Sequence, residues 1–224
     1  FDAITKSGIK PIHNSERVVG LLLDEFDIKP TKDNGQNFLV NSEIAQNIVN
    51  LLNFSNKDKA IEIGPGLGSL THYLKEIGNI NCVEIDTHLS DILMFLYKDL
   101  ALFNQDALKF DFAIYNKIIS NVPYSISTDL LEHILLTSPN LERGVFMCQE
   151  EFVKRLFAKR GKDYGPLSIL FTLVGNIKKD FIVPASAFVP QPKCKSTVFH
   201  VDVDRKVDFN ISNVIFNGLP ANEI

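Results

Sequence analysis

Asn121-Val122-Pro123-Tyr124 places a side-chain amide, a backbone carbonyl on a stiffened turn and an aromatic face within four residues. The chemistry this suits is activation of a primary amine on an aromatic base. Such an amine is a poor nucleophile because its lone pair is delocalised into the ring. Two acceptors aimed at its hydrogens, the Asn121 side-chain oxygen and the Val122 carbonyl, would hold it and favour a more tetrahedral nitrogen. Pro123 fixes the turn that presents the carbonyl, and Tyr124 offers a surface on which an unstacked base can lie. The plainer alternative is a turn before a helix, with Asn as breaker and Tyr as a half-buried packing residue.

Two acids and a glycine cluster complete the set. Ala60-Ile61-Glu62-Ile63 is a short apolar run leading into Gly64-Pro65-Gly66-Leu67-Gly68, which reads as a strand turning sharply into a helix. The spacing is G-x-G-x-G rather than the G-x-G-x-x-G that seats a dinucleotide pyrophosphate on a helix N-terminus, so a nucleoside ligand without pyrophosphate is favoured and a dehydrogenase disfavoured. Glu84 follows Gly64 by 20 residues, the position at which an acid accepts both ribose hydroxyls. Asp106 is placed to accept from the exocyclic amine of an adenine. Singly, Glu84 and Asp106 read as solvated loop acids and Asp86 as a helix cap; together they mark successive strand ends.

The elements that must carry these residues alternate. Strands are expected at 60–63, 80–85, 101–104, 117–120 and 144–148, with helices over 69–77, 87–97, 127–136 and 150–158. That alternation implies right-handed crossovers and a mainly parallel α/β sheet covered on both faces, with ligands bound beyond the carboxyl ends of its strands. Residues 167–174 suit a helix or a strand. The runs 177–183 and 197–201, joined by a proline-rich loop, suggest an antiparallel edge pair. Ahead of all this, Val18, Val19, Leu22, Leu23 and Phe26 recur at helical spacing within 14–26, and a further helix begins near Asn41 or Ser42.

The chain's 224 residues, 45% of them hydrophobic, can fill one sizeable domain. A formal charge of −4 excludes general basic character, so a nucleic-acid partner would need a local patch. Lys154, Arg155, Lys159, Arg160 and Lys162 form one candidate, with Lys193 and Lys195 beside the proline-rich loop; a solvated face balanced by Glu150 and Glu151 explains the first group equally well. Cys82, Cys148 and Cys194 form no C-x-x-C pair and the histidines are scattered, so neither a disulfide framework nor a metal site is expected. No apolar run has membrane-spanning length, and no membrane association is expected. The sequence begins at Phe1, which leaves a removed targeting segment open.

In order along the chain, Gly35–Leu39, Glu62–Gly68, Val83–Asp86, Gln105–Ala107, Asn121–Thr128, Tyr164–Ser168 and Val183–Lys193 resemble the motifs of the ribosomal RNA adenine dimethyltransferases of the KsgA type. The resemblance runs over about residues 29–202. It implies a Rossmann-like class I methyltransferase fold with a mainly parallel seven-stranded sheet and an antiparallel edge hairpin. It also implies S-adenosylmethionine as cofactor and two adjacent adenines of a 3′-terminal small-subunit rRNA hairpin as substrate. Carried over by motif, Asn37 and Leu39 close over the cofactor, Gly64 and Gly66 contact it, Glu84 holds its ribose and Asp106 its adenine. Asn121 bridges cofactor and target amine, Pro123 shapes the turn, Tyr124 stacks on the target base and Phe188 forms the opposite wall. Val122 and Ser125 depart from the commoner Leu and Asn without removing a needed group.

The expected organisation is an N-terminal helical extension over 1–28, a catalytic domain over 29–204, and the start of a shortened or missing C-terminal helical segment over 205–224. A monomer acting on small-subunit rRNA or a pre-ribosomal subunit is expected, in the cytoplasm or, in a eukaryote, an organelle. Two rivals stay open: a resistance-type enzyme acting on large-subunit rRNA, and a non-catalytic organellar transcription factor of the same fold.

Overall fold

The computed structural model describes residues 16–30 and 36–204; the segment expected over 205–224 lies outside the described residues, as do the first 15 residues. Nine strands and seven α-helices are described: α1 (Glu16–Glu25), β1 (Phe38–Leu39), α2 (Ser42–Leu51), β2 (Ala60–Ile63), α3 (Thr71–Ile77), β3 (Ile80–Glu84), α4 (Thr87–Leu96), β4 (Ala101–Asn104), β5 (Lys117–Asn121), α5 (Ser127–Thr137), β6 (Arg143–Gln149), α6 (Glu150–Leu156), α7 (Pro166–Val174), β7 (Gly175–Val183), β8 (Phe188–Val189) and β9 (Ser196–Val203).

Seven strands form one sheet in the order β4-β3-β2-β5-β6-β9-β7, and β1 and β8 form a separate antiparallel ribbon. The first five strands of the sheet run parallel. β9 enters antiparallel to both β6 and β7. The antiparallel pair expected from the sequence is therefore present, but only β7 is an edge; β9 lies inside the sheet. The chain leaves β2 toward β3 and β4 on one side and returns through β5 and β6 on the other. The order thus reverses between β2 and β5, and at such a reversal the loops diverge and open a crevice at the strand ends.

Side-chain alternation builds two cores. Ile61, Ile63, Ile118, Phe146, Cys148, Phe199 and Val201 share one with Leu130, Leu131, Ile134 and Leu135 of α5 and Phe171 of α7. Ala60, Ile119, Val145, Met147 and Val198 share the other with Ile48 and Val49 of α2, Leu74 of α3 and Leu93 of α4. Burial on both faces explains why these strands are apolar throughout rather than on alternate residues. The ambiguous run at 167–174 is helix α7. Pro166 starts it where a missing N–H costs nothing, and its hydroxyls are satisfied locally, Ser168 Oγ donating to the Arg155 carbonyl at 3.0 Å and Thr172 Oγ1 to the Ser168 carbonyl at 2.9 Å. Asn41 caps α2, its side-chain oxygen accepting from the Ile44 N–H at 2.9 Å.

Candidate active site

At the reversal point, one cavity is bounded by the turn after β2, the ends of β3 and β5, and the Gln36–Leu39 segment that includes β1. Gly64, Gly66 and Gly68 all take positive φ, at 64°, 59° and 85°. Two of these positions carry the argument for a ligand. A Cβ on Gly64 would meet no atom within 4 Å, so the backbone there faces open space on the cavity. A Cβ on Gly66 would lie 3.3 Å from the Phe38 ring, so that turn is closed by β1. The loop is a cradle with an aromatic side wall.

Glu84, at the end of β3, is 6% exposed. Its Oε2 accepts from the Gly66 N–H at 3.2 Å and its Oε1 from the Asp86 N–H at 3.0 Å. An ionised carboxylate has about four acceptor positions, so capacity remains for a hydroxyl ligand. Burial raises its pKa, against the lowering effect of those backbone donors. Asp86 caps α4, accepting from the His88 and Leu89 N–H groups at 2.9 and 3.2 Å, and also receives the Gln36 side-chain N–H at 3.0 Å. The cap therefore ties β1's approach segment to the β3 end.

Glu62 is not among the candidates named from the sequence, yet it lines the cavity and is 2% exposed. Its signal is a lone acid in an otherwise apolar strand. Thr71 Oγ1 donates to its Oε2 at 2.6 Å, joining β2 to the start of α3. Burial, reinforced by the charge of Glu84, pushes its pKa up to about 8 from an ordinary 4.5, and the Thr71 bond offsets only part of this. Between these values the folded protein holds a proton that the unfolded chain has released, so the contribution to stability is complete below 4.5 and lost as pH rises through about 8. Glu62→Gln, which mimics the protonated form, should therefore gain on the wild type in thermal melts as pH rises from about 5 to 8.5, by up to a few kcal/mol. A constant difference across that range would rule this out.

Asn121 ends β5 and its Nδ2 donates to the Asn37 carbonyl at 3.3 Å. A carbonyl can only accept, so this bond assigns the amide and leaves Oδ1 as the atom for an incoming donor. The Val122 N–H is held by the Met147 carbonyl at 3.0 Å. The Pro123 carbonyl accepts from the Ile126 N–H and the Ser127 hydroxyl, both at 3.2 Å, which closes the turn. Tyr124 is half-buried, and its hydroxyl shares a 2.9 Å hydrogen bond with Ser196 Oγ at the start of β9. Burial pushes the phenol's pKa up, so it is a neutral anchor. Ser196 is likewise not a sequence candidate; only the sheet order brings it to Tyr124.

Asn37, Leu39, Gly64, Gly66, Glu84, Asn121, Pro123 and Tyr124 all line this cavity. Asp106 and Phe188 are not among its lining residues. Asp106 caps a turn over Ala107–Lys109, accepting from the Leu108 N–H at 3.0 Å. Phe188 is 1% exposed and pairs with Leu39 across the β1–β8 ribbon. Of the cationic cluster, Lys154 is paired with Glu150 at 3.3 Å and Glu151 at 3.6 Å. Arg155, Lys159, Arg160, Lys162, Lys193 and Lys195 are exposed. Among the described residues no group of three or more His, Cys, Asp or Glu is placed to hold a metal ion, and no helix is long and apolar enough to cross a membrane.

The ribosomal RNA adenine dimethylase family model matches residues 28–210. The ribosomal RNA small subunit methyltransferase A of Malacoplasma penetrans is 41% identical over 186 residues, covering 80% of this chain and 67% of that protein. The crystal structure of a dimethyladenosine transferase from Plasmodium falciparum superposes with a TM-score of 0.68 at 28% identity, covering 74% of this chain and 63% of that one. The 23S rRNA methyltransferase ErmE superposes at 0.62 with 23% identity, covering 75% and 70%, which shows a shared fold. The chain thus spans about two thirds of such relatives. Its sheet is that of the class I methyltransferases, and the chain belongs to the ribosomal RNA adenine dimethylase family.

Proposed function

We propose that this chain transfers methyl groups from S-adenosylmethionine to the exocyclic amines of two adjacent adenines in a 3′-terminal hairpin of small-subunit rRNA. It would act as a monomer during ribosome biogenesis in the cytoplasm. The observation that carries the reading is the fixed amide of Asn121: a side chain held by Asn37 with its acceptor oxygen left over, on the same cavity as Glu84 and Tyr124. The name of the 41% identical relative supports the small-subunit substrate.

The cavity fits the cofactor, because the Gly64 backbone is open to it and Glu84 keeps acceptor capacity for a ribose. Bound there, S-adenosylmethionine supplies an electrophilic methyl group on a sulfonium. Asn121 Oδ1 and the Val122 carbonyl accept from the two hydrogens of the target amine and line its lone pair up for in-line displacement. Catalysis then rests on positioning and pre-set dipoles. No side-chain base is needed, since the methylated amine becomes acidic enough to lose its proton to water. Tyr124, anchored through Ser196, presents a ring face to the unstacked base. The exposed cations Arg155, Lys159, Arg160 and Lys162 would meet RNA phosphates, and binding through them weakens as salt rises.

The test is transfer of labelled methyl groups to small ribosomal subunits lacking the modification, with large subunits and naked RNA in parallel, followed by nucleoside analysis. Dimethyladenosine on the small subunit is the expected product. Label confined to large-subunit RNA would move the chain to the resistance branch, and cofactor binding without transfer to any substrate would favour a binding factor.

A further inference from the structure

Helix α1 lies ahead of the family match, which begins at residue 28. Its apolar face is nevertheless spent on the candidate site. Val18, Val19 and Leu22 are buried in one cluster with Phe38, Leu67, Leu89 and Ile92. Of these partners, Phe38 and Leu89 line the cavity, and Leu67 belongs to the glycine turn. Leu22 is 1% exposed, and its cluster contains the Phe38 ring that closes on Gly66. The exit of the helix is fastened to the same place: His88 Nε2 donates to the Phe26 carbonyl at 2.8 Å, and His88 sits in the first turn of α4 beside Asp86, which holds Gln36 at 3.0 Å.

We infer that α1 is a built-in brace for the Gln36–Leu39 wall, with Val19 and Leu22 as positioning residues that hold Phe38 against the glycine turn so that the cofactor site is formed before ligand arrives. This rests on the proposed use of S-adenosylmethionine and adds to it a segment outside the family match. A wall of four residues held by a two-residue strand has little cohesion of its own. Ordering it in advance removes a cost that binding would otherwise bear.

The test compares Leu22→Ala with Leu135→Ala in the full chain. Leu135 is fully buried in the core on the other face of the sheet. Both variants should lower the melting temperature. Only Leu22→Ala should raise the dissociation constant for S-adenosylmethionine, by about tenfold, with the rate at saturating cofactor within about twofold of wild type. Leu22→Met should restore affinity. His88→Ala, which severs the latch without opening the core, should raise the dissociation constant by about threefold. In the ligand-free protein, amide exchange at Phe38–Val40 should speed up in Leu22→Ala and not in Leu135→Ala. Unchanged affinity in both Leu22→Ala and His88→Ala, or an equal loss in Leu135→Ala, overturns the brace. A wild-type chain that binds no S-adenosylmethionine overturns the proposed function as well, whereas normal wild-type binding with unaffected variants overturns the brace alone.

Discussion

Asn121→Ala is expected to lower methyl transfer by about 10²–10³-fold while S-adenosylmethionine affinity stays within a few-fold of wild type. The magnitude is that of removing one pre-set hydrogen-bonding dipole from a reacting centre. The separation of effects follows from geometry: the cradle at Gly64 and Gly66 and the acceptor at Glu84 are built by other residues. Asn121→Asp should be as damaging. It keeps an acceptor for the amine but replaces the N–H that Asn121 gives to the Asn37 carbonyl, now 3.3 Å away, with an oxygen facing an oxygen. The side chain would turn away and the Gln36–Leu39 wall would lose a tie. Single-turnover rates at saturating cofactor, with calorimetric binding alongside, measure both halves. Near-normal turnover in Asn121→Ala with cofactor still bound would sink the amine-activation account.

The parts of this site that are legible in the sequence are those whose residue types are forced by the backbone or by the ligand. Three glycines at alternate positions stand out because each adopts positive φ, which other residues enter at a cost. Glu84 and Asn121 stand out because a strand-helix alternation puts strand ends at one rim. What stays hidden depends on pairing between distant segments. The β1–β8 ribbon joins Phe38 to Val189, and nothing local in a two-residue strand signals it. The interior place of β9 is hidden for the same reason, and with it the Ser196 hydroxyl that meets Tyr124 across 72 residues. The helix α7 is ambiguous in sequence because its apolar residues fall on nearly all sides, although only Ser168, Leu170, Phe171 and Val174 are buried, so the run has no informative period. Its motif makes Phe188 a wall of the pocket; Phe188 is 1% exposed and is the register partner of Leu39 in the β1–β8 ribbon. The strand-end position of Asp106 suggests an adenine acceptor; its Oδ1 accepts from the Leu108 N–H at 3.0 Å and its Oδ2 lies 3.9 Å from Lys109 Nζ.

Glu84→Gln should weaken S-adenosylmethionine binding by about 100-fold or more. Two hydrogen bonds to an ionised carboxylate contribute about 1.5–3 kcal/mol each, and the amide does further harm. Both Glu84 oxygens accept backbone N–H groups, from Gly66 at 3.2 Å and Asp86 at 3.0 Å, so whichever way the Gln amide is turned its NH₂ faces a donor. The substitution therefore disturbs the cradle as well as the ribose contact, and Glu84→Ala, which leaves two N–H groups without a partner, should be at least as severe. The raised pKa supplies an independent signature. Its cause is burial, so protonation begins at higher pH than for an ordinary glutamate. Wild-type affinity should fall as pH is lowered toward that raised value, and Glu84→Gln should lose this dependence. An analogue of the cofactor lacking both ribose hydroxyls separates the two contributions. Wild type should bind it weakly, and Glu84→Gln should bind it with only the residual loss due to the cradle. If the analogue and the natural cofactor suffer equally from the substitution, Glu84 shapes the loop and does not hold the ribose.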